Sequence, residues 1–228
     1  MVLKLAHKEN LIDNVWAFRF QPPSKSFGWT AGQYVRVELP HDNPDDEGTK
    51  RWFTNSAAPY EGIVQIITRI TNSTFKQALS KLTEGDELQL IENPEGDFVW
   101  QDSELPIVFI AGGIGVTPFY SILKQRVYDQ LPIDVTLIYG GRTGEIPFKD
   151  ELAQWVANNA NFSVKYVIGK PLTVEKLIEL EPNLNQSLVY LSGPEPMVAS
   201  LGKSLQANGL PKAQFKDDSF PNYNQQNY

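Results

Sequence analysis

The sequence predicts two domains: an N-terminal antiparallel β-barrel with one helix, residues 1–102, and a C-terminal α/β domain built on a doubly wound parallel five-stranded sheet, residues 103–228. Three observations lead there. Up to about Gln101 the chain is a series of short, partly alternating apolar runs broken by Gly, Pro and Asn turns. From Leu105 onward, apolar strand-like runs alternate with helical segments, as in a doubly wound sheet. The pattern changes beside a glycine cluster, Gly112-Gly113-Ile114-Gly115, which directly follows a β-branched run.

In the first domain Val15, Ala17, Phe18 and Phe20 mark a strand that Gln21-Pro22-Pro23 closes. Tyr34 to Leu39 alternates cleanly after Gly32-Gln33, and the acidic stretch from Pro40 to Lys50 reads as an exposed, mobile loop. Arg51 to Ser56 follows, then a strand from Ile63 to Ile70. Phe75, Leu79 and Leu82 share one face of a helix over 75–82, with Ser73 or Thr74 available to cap it. Glu87 to Ile91 resumes a strand, and Asn93-Pro94-Glu95-Gly96 turns the chain before Asp97 to Trp100. Several short strands with one helix predict a small barrel.

In the second domain Ile107 to Ala111 reads as a strand buried on both faces. It leads through the glycines into Thr117-Pro118, a capping residue and a first-turn residue, with Phe119, Ile122 and Leu123 at helical spacing. Further strands are expected at 133–139, 162–168, 187–191 and 212–216, with helices at 148–157, 174–180 and 197–208. Gly112 to Gly115, Gly140-Gly141-Arg142 and Ser192-Gly193-Pro194 would all lie at carboxyl ends of strands, where such sheets bind ligands.

Composition narrows the partners. The 228 residues carry a net charge of -7, which argues against nucleic acid or an anionic membrane. Without cysteine there is no disulfide, no thiolate-ligated zinc and no cysteine-held iron–sulfur cluster, and no other metal site is expected. Nothing reads as a signal peptide or a membrane span, so a cytoplasmic location is expected.

Two stretches carry chemistry. Glycines at a strand end, followed by a helix start, let a phosphate approach exposed amides and the positive end of the helix dipole. Arg51-Trp52-Phe53-Thr54 combines a fork for phosphate, rings to cover a flat ligand and a hydroxyl to meet a ring nitrogen. His7 and His41 read as surface residues, and no general acid–base pair stands out.

These motifs and their order resemble the ferredoxin–NADP reductase superfamily along essentially the whole chain. Arg51-Trp52-Phe53-Thr54 is similar to its Arg-x-Tyr-Ser motif, with Phe for Tyr and Thr for Ser. The resemblance implies that Arg51 binds the FAD pyrophosphate, that the aromatic packs on the flavin, and that the Thr54 hydroxyl faces flavin N5. Ser73-Thr74-Phe75 lies where relatives place a Gly-x-x-Ser segment whose glycine is absent here, and Thr68 is grouped with the cofactor contacts. Gly112, Gly113, Gly115, Thr117 and Pro118 match the loop that holds the phosphates of NADPH or NADH. Ser192-Gly193-Pro194-Glu195-Pro196-Met197 matches a Cys-Gly-Pro-x-x-Met motif beside the nicotinamide, with Ser192 replacing cysteine. Phe220, Tyr223 or Tyr228 could supply a C-terminal aromatic that stacks on the flavin.

The implied activity is hydride transfer between NAD(P)H and FAD across an inter-domain cleft, with Thr54 and Ser192 nearest the reacting atoms. Electrons then pass to an acceptor: a ferredoxin, flavodoxin, cytochrome or oxygenase component, or free flavin. Arg142, with Lys170 as a second candidate, favours NADPH over NADH. The acidic loop disfavours an acidic ferredoxin docking there, whereas Lys76 and Lys81 offer a positive dock. The alternatives are a reductase subunit of a larger electron-transfer complex and a non-catalytic flavin- or nucleotide-binding regulator.

Overall fold

The computed structural model describes residues 1–144 and 146–220. They form two compact units, residues 1–100 with 120–125, and residues 101–119 with 126–220. No helix among the described residues is long and apolar enough to cross a membrane.

In the first unit β1 (Val2–Ile12), β2 (Val15–Gln21), β3 (Tyr34–Glu38), β4 (Lys50–Thr54), β5 (Val64–Arg69) and β6 (Glu87–Leu90) pair in the order β4-β3-β6-β1-β2-β5. Every pairing is antiparallel. The two edge strands share no ladder and meet instead through Asn55 and Ser56, which follow β4. Gln65 of β5 donates its amide to Asn55 Oδ1 at 2.9 Å, and its carbonyl accepts the Ser56 amide and hydroxyl, each at 2.9 Å. That seam turns the sheet into the expected barrel.

Its core is Leu3, Leu5, Phe18, Phe20, Val35, Val37, Val64, Ile66, Leu88 and Leu90, and Phe75 and Leu79 of α1 (Thr74–Lys81) plug one end. The apolar positions on α1 are those that the sequence spacing predicts. β1 is long but polar from His7 to Asn10, which hides it from a hydrophobicity pattern. Residues 97–100 form no strand, and only a Tyr34–Glu95 bridge continues the pairing there.

In the second unit β7 (Ile107–Gly112), β8 (Val135–Gly141), β9 (Phe162–Ile168), β10 (Leu188–Pro194) and β11 (Phe215–Phe220) are all parallel, in the order β11-β10-β7-β8-β9. The helices are α2 (Thr117–Tyr128), whose residues 120–125 group with the first unit, α3 (Lys149–Asn158), α4 (Val174–Leu180) and α5 (Glu195–Ala207). α5 starts two residues before the expected Met197, because Pro196 suits a first turn that lacks amide partners. The last strand begins at Phe215, not Lys212, since 212–214 form a single 3₁₀ turn.

Every residue of β7 is buried, as expected of a central parallel strand. Val108 and Ile110 join Val189, Leu191 and the apolar face of α5 on one side. On the other, Phe109 stacks on Phe119 of α2 at 4.5 Å and meets Tyr190 edge-on at 5.2 Å. Replacing Phe109 with Ala empties a ring-sized volume in this layer. The variant is expected to lose about 3–5 kcal/mol of stability in urea melts, and Phe109→Leu distinctly less.

Candidate functional site

The second unit's strand order reverses between β7 and β10. β7 continues outward to β8 and β9, and β10 continues the other way to β11. The loops leaving β7 and β10 therefore turn away on opposite sides and leave room for a ligand at their carboxyl ends. Gly113 takes φ +50, a left-handed conformation costly for other residues, and opens a 3₁₀ turn over Gly113–Val116 that runs into α2. A Cβ on Gly115 would lie 2.3 Å from the Ser192 carbonyl oxygen and 2.6 Å from Gly193 Cα, so only glycine fits there.

Thr117 does not cap α2 in the expected way. It is already helical, and its buried hydroxyl donates back to the Ile114 carbonyl at 2.9 Å. Pro118 follows in the first turn. Across the switch point Ser192 is wholly buried, and its hydroxyl donates to Asp218 Oδ2 of β11 at 3.4 Å. Sequence reasoning missed Asp218; it stands opposite Ser192 in the β10–β11 register. The Met197 methyl covers Gly193, and Phe220 lies opposite Pro194. Arg142 is exposed just past β8, and Lys170 is exposed beyond β9. Tyr223 and Tyr228 lie outside the described residues.

In the first unit Arg51 and Phe53 point to one face of β4, where both rest on Phe75: the guanidinium at 5.1 Å and the Phe53 ring at 5.9 Å. The two-residue period of a strand puts Trp52 and Thr54 on the other face. Trp52 is 48% exposed and covered by the Arg36 guanidinium at 4.5 Å, whereas Thr54 is buried. The four motif residues are thus divided between two faces. Thr68 is buried in β5 on the strand face shared with the core residues Val64 and Ile66.

Arg51 is closely held. Its Nε pairs with Glu47 at 3.0 Å and its Nη2 with Asp45 Oδ1 at 3.2 Å. Nη1 donates to the carbonyls of Glu47, Gly48 and Lys50, and Nη2 also reaches the Ser73 hydroxyl at 3.4 Å. The acidic loop expected to be mobile is tied down by the arginine that follows it.

Asp45 also closes α1. Its Oδ2 accepts the Thr74 amide at 2.9 Å, and its own amide donates to Thr74 Oγ1 at 3.0 Å. Ser73 makes no side-chain cap, so the expected local capping is replaced by a carboxylate from another loop. Thr74 Oγ1 further meets His41 Nε2 at 3.0 Å, and His41 Nδ1 meets the Leu39 carbonyl at 2.7 Å, so His41 is built into this corner. Burial pushes the Asp45 carboxyl up, but the Thr74 amide and hydroxyl and the Arg51 guanidinium outweigh it, leaving it below the ordinary 3.8.

Residues 109–203 match the family of the oxidoreductase NAD-binding domain. NADH-cytochrome b5 reductase 1 of Cryptococcus neoformans is 29% identical over 236 residues, covering 91% of this chain and 78% of that protein. The FAD/NAD-binding domain of a Vibrio cholerae nitric oxide dioxygenase superposes with a TM-score of 0.79 at 22% identity, covering 96% of this chain and 98% of that one. A Neisseria gonorrhoeae ferredoxin NADP+ reductase gives 0.78 at 19%, with the same coverages. The described residues thus share the fold of ferredoxin NADP+ reductases.

The residues present fit the two cofactors. At Gly115 the backbone comes against Ser192 and Gly193 with no side chain of its own, which suits an anion that seeks exposed amides. At Arg51 and the Thr74 amide a carboxylate already sits where an anion is wanted.

Two outcomes are expected. Gly115→Ala must push two backbone segments apart and should cost more than about 2 kcal/mol, read as a lowered melting temperature. Asp45 has a depressed native pKa, so its stabilisation is present above its ordinary value and lost as the pH falls through the native one. Urea melts should show Asp45→Asn less stable by about 1 kcal/mol near neutrality, converging with the natural protein as the pH falls below the ordinary 3.8.

Proposed function

We propose that the chain is a cytoplasmic FAD-dependent reductase that takes hydride from NADPH and delivers electrons to an acceptor protein. The observation that carries this is the glycine loop at the switch point, where Gly115 lies too close to Ser192 and Gly193 to carry a side chain and brings bare backbone to the carboxyl ends of β7 and β10. The cytoplasm is where reduced nicotinamide nucleotides are generated. Relatives named as cytochrome b5 reductases support an acceptor protein of the cytochrome kind.

FAD, when bound, supplies a ring that accepts hydride from the nicotinamide and releases electrons one at a time. The chain's own residues bind and orient. Arg51, Ser73 and the Thr74 amide would hold the diphosphate of FAD, as a fork and a helix start suit two anionic groups. Phe53 would offer an apolar surface to the flavin ring from one face of β4, and Thr54, the last residue of the strand on the other face, would bring its hydroxyl to the ring's edge. The residue following Thr54 adds rigidity: Asn55 is fully buried and accepts the amides of Ala57 and Gln65.

In the second unit Gly112, Gly113 and Gly115 would admit the nicotinamide-nucleotide phosphates to the start of α2. Ser192, Gly193, Pro194 and Met197 would border the nicotinamide. Ser192 keeps a hydroxyl where relatives carry a thiol, and its bond to Asp218 fixes that hydroxyl's direction. Arg142, exposed at the end of β8, supports NADPH, because its fork suits a 2′-phosphate.

Anaerobic stopped-flow mixing tests the proposal. The flavin absorbance should bleach faster with NADPH than with NADH. Arg142→Ala should raise KM for NADPH by roughly tenfold, a loss of about 1.4 kcal/mol, and leave NADH unchanged. Bound flavin that neither nucleotide bleaches would overturn the reductase reading.

A further inference from the structure

The acidic loop 40–50 does more than neutralise Arg51. Asp45 makes on its two carboxylate oxygens the contacts that a phosphate would seek in the same corner. One oxygen faces the Arg51 guanidinium at 3.2 Å, and the other accepts the Thr74 amide at 2.9 Å. Its own amide is locked to Thr74 Oγ1 at 3.0 Å, which fixes the carboxylate in place. Glu47 takes the Nε edge of the same guanidinium, and the neighbouring carbonyls take Nη1. Every nitrogen of Arg51 is therefore engaged by the loop or by Ser73, and its side chain is only 11% exposed.

We infer that Asp45 is a built-in competitor for the diphosphate subsite of the flavin, and so determines how tightly phosphate-bearing flavins are held. The inference rests on the reading of Arg51 and Thr74 as the diphosphate site. A diphosphate can reach both groups only if the carboxylate leaves them, because two anions brought that close repel. The strength of FAD binding is then a difference between two anions for one pair of donors. A flavin without phosphate does not enter that competition. The tether makes Asp45 effective as a competitor: it is held beside the site at high local concentration by a short loop.

The test is a fluorescence titration of the full chain, freed of flavin, with FAD and with riboflavin. Asp45→Ala removes the competing carboxylate and should tighten FAD about tenfold, with riboflavin changed by less than about twofold. Asp45→Asn keeps the shape of the side chain and loses its charge; a smaller tightening, again confined to FAD, is expected, and it covers the case in which Asp45→Ala folds poorly. Asp46→Asn changes the net charge equally at an exposed neighbouring position and should leave both affinities unchanged. Equal FAD affinity in the natural protein and both Asp45 variants, or weaker affinity in the variants, would overturn the inference while leaving the flavin reading intact. Equal tightening by Asp46→Asn would reduce the effect to bulk charge and overturn it too. If neither FAD nor riboflavin binds any of the four proteins, the flavin reading itself falls, and this inference with it.

Discussion

Backbone pressed against backbone at the strand ends, Gly115 on Ser192 and Gly193, is the constraint on which the second unit's arrangement depends. β7 and β10 are neighbours in the sheet, yet the chain leaves them toward opposite sides. Their exits can pass this closely only because Gly115 has no side chain. The same bareness leaves amides available to a ligand, so the requirement of packing and the requirement of binding coincide in one residue type. In the first unit the governing contact is electrostatic instead. A largely buried guanidinium gathers a loop, a strand end and a helix start around itself, and no local propensity in those segments would bring them together.

Much of this was legible in the sequence, for reasons that can be named. β7, β8 and β10 are buried on both faces and therefore read as unbroken apolar runs. The barrel helix showed its Phe75–Leu79 face directly. The glycine loop was legible because its demand is local and steric. What stayed hidden depends on distance along the chain. β1 is mostly polar beyond Leu5, so it shows no apolar run, and β11 carries Lys216, Asp217 and Asp218 in succession, so its expected bounds of 212–216 fell short of the observed Phe215–Phe220.

The two-faced placement of Arg51-Trp52-Phe53-Thr54 follows from the strand period, and reading the motif as a single patch overlooked it. Asp45 was counted among the solvated charges of an acidic loop, and nothing nearby marked it as a partner of Thr74, 29 residues on. The one available signal was the run Asp45-Asp46-Glu47 a few residues before an arginine at a strand start. Asp218 was invisible for the same reason: its partner Ser192 is 26 residues away and becomes a neighbour only when β11 adds to the sheet.

The borrowed cap of α1 also bears on the order in which the first unit assembles. An eight-residue helix is marginal in water by itself, and this one has no acidic residue in its first turn and no side-chain cap of its own. Its missing partner arrives on the connection between β3 and β4, so the helix gains its start only after that hairpin has closed. α1 is thus a late-forming element. Substitutions in α1 should show φ-values near zero and substitutions in the β3–β4 pair higher ones, so that the hairpin templates the helix and not the reverse.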